Sequence, residues 1–147
     1  MRLALPSPGP ALAAARRRAE FELIHHVSVG SNDIAAARGF YDPVLAVLGI
    51  RVLASDAESA DYGSSDFFFS VETPVDRCPA SAGNGVHIAF QARDRGVVRE
   101  FHRTGLANGG KDAGAPGLRP EYDGNYYGAF LLDPDGNKIE AVTFSAD

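Results

Sequence analysis

The chain has 147 residues, a formal net charge of -5, 45% hydrophobic residues and 22% charged ones, which is enough for one domain with a real core and too little for two. An acidic balance with no basic stripe argues against nucleic acid as a partner. No apolar run is long enough to span a bilayer, and a lone Cys78 requires no oxidising compartment. The expectation is therefore a cytoplasmic protein that meets neither nucleic acid nor membrane.

The opening stretch, MRLALPSPGPALAAARRRAE, is rich in Ala, Pro and Arg and has no acid before Glu20. Its composition is that of a transit peptide or of a loosely held extension. Pro6, Pro8 and Pro10 break any amphipathic helix there, so residues 1–20 read as a flexible N-terminal extension. Residues 21–147 then form a single domain.

The first element of that domain is the strand beginning at His26-Val27-Ser28-Val29. Val27 and Val29 share one face, and His26 and Ser28 share the other. Asp33 is placed to cap the following helix, whose stripe is Ile34, Ala37, Tyr41, Val44, Leu45 and Leu48. Pro43 interrupts this run, with Asp42 in position to cap a restarted turn, so a kink or break is expected near 42. Strands follow at about 50–56, 59–64 and 66–72, and Cys78 falls in the connector over 73–84.

The pattern then recurs at a constant offset of 61 residues (87 − 26 = 61). His26 falls on His87, Asp33 on Asp94 and Phe40 on Phe101. Three coincidences in register, with the same switch from strand to helix, mark two copies of one supersecondary unit. The second helix carries Val97, Val98 and Phe101 and ends near Asn108-Gly109-Gly110. A weak strand near 117–122, a strand over 126–132, a turn at DPDGN and a strand over 138–144 complete the copy. Residues 108–125, with five glycines, read as a loop, either a lid or a plain surface connection. The fold class is α+β. Two tandem βαβββ units, about 21–74 and 84–147, form a curved mixed sheet around a concave cavity, with helices on the outer face.

Each helix buries its stripe against the valine face, which turns His26 and His87 toward the hollow. His25 is expected on the helix-packed face and His102 as a solvated helix residue. If Glu140 also faces inward, two imidazoles and one carboxylate meet there, a set that suits a divalent first-row metal. The competing reading is that each His is a hydrogen-bonded core residue. Arg119 and Lys111 are candidate anchors for an anionic group, and Tyr62, Tyr122, Tyr126 and Tyr127 for an aromatic pocket. Arg119, Tyr122 and Tyr127 are the substrate-binding candidates.

The segments HVSVGSNDIAAARGFY, GVHIAFQARDRGVVREFH and YYGAFLLDPDGNKIEAV resemble the vicinal oxygen chelate superfamily, which includes glyoxalase I, bleomycin-resistance proteins, fosfomycin-resistance enzymes and extradiol dioxygenases. The resemblance implies one divalent metal ion (Zn, Ni, Mn or Fe) held by His26, His87 and Glu140, a catalytic part for Glu140, and often a homodimer. It implies a lyase or isomerase acting on an oxygen-chelating small molecule. The alternatives are an Fe(II) dioxygenase at the same triad, or a metal-free binding protein of the bleomycin-resistance kind. Glyoxalase-type isomerases add an acid on the last strand of the first unit. Here that strand reads DFFFSVETP, its central places are Phe67 to Ser70, and Glu72 lies near its end, so the match is poor.

Overall fold

The computed structural model describes residues 24–147, and the extension over 1–20 lies outside them. In chain order the elements are β1 (Val27–Gly30), α1 (Ile34–Val47), β2 (Arg51–Ser55), β3 (Ser59–Gly63) and β4 (Phe67–Glu72). The second set is β5 (His87–Gln91), α2 (Arg95–Ala107), β6 (Lys111–Leu118), β7 (Tyr127–Leu132) and β8 (Lys138–Thr143). Each unit closes its own four-stranded sheet, ordered β1-β4-β3-β2 and β5-β8-β7-β6. The first strand of each unit runs parallel to the last, and the remaining pairs are antiparallel.

The repeat extends to single hydrogen bonds. The Asp33 carboxylate accepts from Ala36 N at 2.9 Å and that of Asp94 from Val97 N at 2.8 Å, the same N-cap bond 61 residues apart. The bond from Val97 N holds the Asp94 carboxyl below its ordinary range. Helix α1 packs on β2, β3 and β4, helix α2 on β6, β7 and β8, and the helices pack on each other. The stripe of α1 buries Ile34, Ala37, Phe40, Tyr41, Val44 and Leu45. Within the core, Phe69 of β4 meets Phe90 of β5 edge to face at 5.3 Å, joining the two units.

Three sequence expectations need correction. Helix α1 runs through Pro43 without a break. The carbonyl that loses its amide partner belongs to Gly39, which lies on the exposed side where water can replace it. Asp42 caps nothing and instead accepts from Arg38 Nη2 at 2.9 Å and from the Tyr62 hydroxyl at 2.7 Å. His102 is buried rather than solvated, with Nε2 2.9 Å from Asp112 Oδ1. Finally, much of the glycine-rich stretch is strand: β6 occupies Lys111–Leu118, and its register shifts between Asp112 and Gly114 and between Gly114 and Gly117. An edge strand accommodates Pro116 and such bulges because one side of its ladder has no partner to satisfy.

The turn over residues 133–137 clamps the two units together. Asp133 is buried, and its Oδ1 accepts from the amides of Asp135 (2.9 Å) and Asn137 (2.8 Å). Its Oδ2 accepts from Asn137 Nδ2 (2.9 Å) and from the Tyr41 hydroxyl of α1 (2.7 Å). Burial, then the Asp133 charge, pushes the Tyr41 phenol well up. Asn137 Nδ2 also donates to Gly30 O at 3.1 Å, and Asn32 N donates to Asp135 Oδ1 at 2.8 Å. Asp133→Ala strands several buried donors at once and is expected to cost about 2–4 kcal/mol, against about 1 kcal/mol for Tyr41→Phe. Urea denaturation checks this: the midpoint should fall in that order with the slope unchanged.

Candidate metal and substrate site

Strand alternation places Lys138, Glu140 and Val142 of β8 on the face away from α2. Ala89 of β5 and Phe130 of β7 oppose Glu140 in the ladders. Although it lies on this face, Glu140 is fully buried. Its Oε1 accepts a 2.5 Å hydrogen bond from the Tyr126 hydroxyl. His87 Nε2 stands 3.1 Å from Oε2, but the approach does not meet hydrogen-bond geometry, so Oε2 is buried without a hydrogen-bond partner among the described residues. The short distance does not satisfy the acceptor, because an unaligned contact makes a poor hydrogen bond.

A buried carboxylate oxygen left in that state is costly, and a cation would relieve it. His87 Nε2 and Glu140 Oε2, 3.1 Å apart, are close enough for one ion to contact both, and an imidazole with a carboxylate is a donor set that first-row divalent metals favour. These two residues fit the group as part of its donor set.

Tyr126 sets the carboxylate's orientation. Its ring is flanked edge-on by Tyr122 at 5.1 Å and Phe144 at 5.3 Å. Burial, and then the hydrogen bond to Glu140, pushes its phenol up to about 12, so it remains a donor at neutral pH. Gly128 provides the room, since a Cβ there would come within 2.8 Å of Glu140 Oε1.

His26 lies elsewhere, just ahead of β1. Its ring packs against Phe67 at 4.7 Å, and its Nδ1 is 2.9 Å from Nδ1 of an exposed His25, which is therefore not packed under a helix. His26 lines a cavity of about 470 Å³ with Asp61, Glu72 and Arg77, whereas His87 lines a different one. Among the described residues, no three His, Cys, Asp or Glu side chains form a group able to hold a metal within this chain. The chain thus brings His87 and Glu140 together and leaves His26 apart.

Register identifies the first unit's counterpart of Glu140. Ser28 pairs with Ser70 as Ala89 pairs with Glu140, and 28 + 61 = 89, so Ser70 occupies the matching place. Ser70 is buried and donates to Asp61 Oδ1 at 2.9 Å. Glu72, one pleat further on, is exposed and accepts from Ser28 Oγ at 3.1 Å.

The other candidates divide by face. Tyr127 faces α2, beneath Arg95 (5.2 Å) and Arg99 (6.0 Å), while Tyr122 is exposed beside Tyr126. The Arg119 guanidinium lies over Phe130 at 5.8 Å. Lys111 is at the opposite end of β6, paired with Leu132. Tyr62 is fully buried in the core. Phe130 and Lys138 were not singled out from sequence, and Tyr126 was not separated from the other three tyrosines weighed for an aromatic pocket. Counting in twos from Glu140 across the DPDGN turn would have found all three, since ladder partners in β7 and β8 sum to 270, as in Phe130 with Glu140.

Paired βαβββ units, with a His–carboxylate pair on the open face of a sheet, define the class of glyoxalase-like proteins. The match to the family described as Glyoxalase/Bleomycin resistance protein/Dioxygenase superfamily covers residues 23–141, and the chain belongs to that superfamily. A glyoxalase/bleomycin resistance protein from Albidiferax ferrireducens is 38% identical, with a TM-score of 0.74 over 82% of this chain and 98% of its own. A glyoxalase-related enzyme from Fulvimarina pelagi, 19% identical, shares the fold with a TM-score of 0.66 over 83% of this chain and 88% of its own. So does a lactoylglutathione lyase from Agrobacterium tumefaciens, 21% identical, with a TM-score of 0.58 over 82% and 92%. Curated proteins yielded no match. Among the described residues no helix is long and apolar enough to cross a membrane.

Gly128→Ala tests the seat of the carboxylate. The new methyl group should displace Glu140 or Tyr126 and cost about 1–3 kcal/mol, as overpacking does. Gly39→Ala, where a Cβ meets nothing within 4 Å, should instead stabilise α1 by about 1 kcal/mol. Thermal denaturation of both variants gives the comparison.

Proposed function

We propose that the protein is a small metal-dependent enzyme of the glyoxalase group, a lyase or isomerase acting on an oxygen-chelating small molecule. One observation carries the reading: the buried Oε2 of Glu140 has no hydrogen bond and stands 3.1 Å from His87 Nε2. His87 and Glu140 would hold a divalent ion, which supplies Lewis-acid polarisation of a substrate oxygen. Tyr126 keeps Oε1 occupied and so leaves Oε2 to face the ion. The open face beyond His87 admits the substrate.

His26 is the third ligand of this reading, contributed by a second copy of the chain. His26 and His87 are repeat equivalents that line separate cavities. A two-fold homodimer would bring the His26 half of each copy onto the His87–Glu140 half of the other, giving two sites. Ser70 in place of a second carboxylate favours one further reading, an Fe(II) dioxygenase using the same triad.

Purified protein should take up one divalent ion per chain and sediment as a dimer. Glu140→Gln, His26→Ala and His87→Ala should each lose metal and turnover together, while Glu72→Gln should change little. Mixing and refolding the His26→Ala and His87→Ala chains should restore metal to one of the two sites in each mixed dimer, because only the other site collects both substitutions. A monomer that binds no metal would leave a metal-free binding protein as the answer.

A further inference from the structure

Three cationic or cationisable side chains gather around one ring. His87 meets Phe130 edge to face at 5.9 Å, Lys138 Nζ lies 4.7 Å from its centroid, and the Arg119 guanidinium carbon lies 5.8 Å away. His87 and Lys138 are ladder partners, and both line an open cavity of about 550 Å³. The ring's quadrupole attracts the two permanent cations but neutralises neither. Among the described residues no acid forms an ion pair with Lys138 or Arg119. In a chain of net charge -5, two unneutralised cations beside the candidate centre stand out.

The placement is built into β6. Arg119 Nη2 donates to Ala115 O at 2.8 Å and Nη1 to Leu118 O at 3.3 Å, folding the side chain back along its own strand. A Cβ on Gly117 would meet Arg119 Nη1 at 3.0 Å. One on Gly114 would meet Phe130 Cδ2 at 2.8 Å and Arg119 Nη2 at 3.4 Å. Glycine at both positions is what lets the guanidinium reach the ring. Arg119 is also near enough to Tyr126 for its charge to oppose the upward shift of that phenol.

We propose that the substrate carries a carboxylate, held by Lys138 and Arg119 beside Phe130, while its other oxygens face His87 and Glu140. The proposal rests on the reading of this face as the substrate site. Lys138 and Glu140 are two residues apart on one face, roughly 7 Å along the strand, a gap that a small 2-hydroxy or 2-oxo acid bridges with one polar contact at each end.

Glycolate and its uncharged counterpart glycolamide, titrated by calorimetry into wild type and the Lys138→Met/Arg119→Met variant, decide it. The methionines keep the side-chain bulk and remove the charge, and metal content should be unchanged because neither residue is a proposed ligand. The variant should lose glycolate affinity by about tenfold or more, the loss expected for a charge-assisted contact, with glycolamide affinity unaffected. Added salt should weaken glycolate binding to wild type alone. Equal glycolate affinity in the two proteins, or no glycolate binding to wild type at millimolar ligand, overturns the proposal. Running the series on metal-free protein separates the two readings: a chain that binds no metal but keeps the charge-dependent preference would sink the metal centre and leave the carboxylate site standing.

Discussion

The Asp133 carboxylate is buried where the two units meet and receives hydrogen bonds from both of them. Tyr41 donates from the helix of the first unit, and Asn137 donates from the turn of the second. Because the sheets share no ladder, this polar clamp joins the packing of the two helices and the Phe69–Phe90 contact in fixing one unit against the other. A buried carboxylate is tolerable only when its lone pairs are occupied, and here four donors occupy them. The same bonds fix the turn before β8, which in turn sets the register of Lys138 and Glu140.

A contrast between two buried acids gives the chain its chemical direction. Asp133 is saturated by protein donors and has no capacity left. Glu140 has one oxygen satisfied by Tyr126 and one with only an unaligned imidazole beside it. The first carboxylate is closed by the protein's own donors, and the second keeps one oxygen open. The difference between them lies in hydrogen-bond accounting, because both are removed from solvent.

Much of the fold was legible in the sequence because its signals are local and repeated. The offset of 61 residues, the Asp N-caps and the alternation of the first and last strands of each unit all rest on neighbouring residues. What escaped depends on partners distant in sequence. The stretch over 111–118 looks like a loop because its glycines and proline lower strand propensity, yet β7 supplies a ladder for it. His102 looks solvated until Asp112 folds onto it. Tyr126 and Tyr127 cannot be ranked by type, only by parity relative to Glu140. The missing convergence of His26 with His87 has another cause, since sequence alone does not say whether repeat halves meet within one chain or between two.

The hydrogen bond between Ser70 and Asp61 bears on how such a chain diversifies. Duplication leaves two copies of every position, and selection need keep only one of each pair for a given task. Here the second copy has a glutamate at the shared position, while the first has a serine tied to an acid on the adjoining strand. A negative charge therefore sits beside the slot, although the slot itself holds a serine. A single replacement, Ser70→Glu, would bring a second carboxylate to the slot that Glu140 fills in the other half. In register, the scaffold is thus one residue away from a matching pair of carboxylates, one in each half.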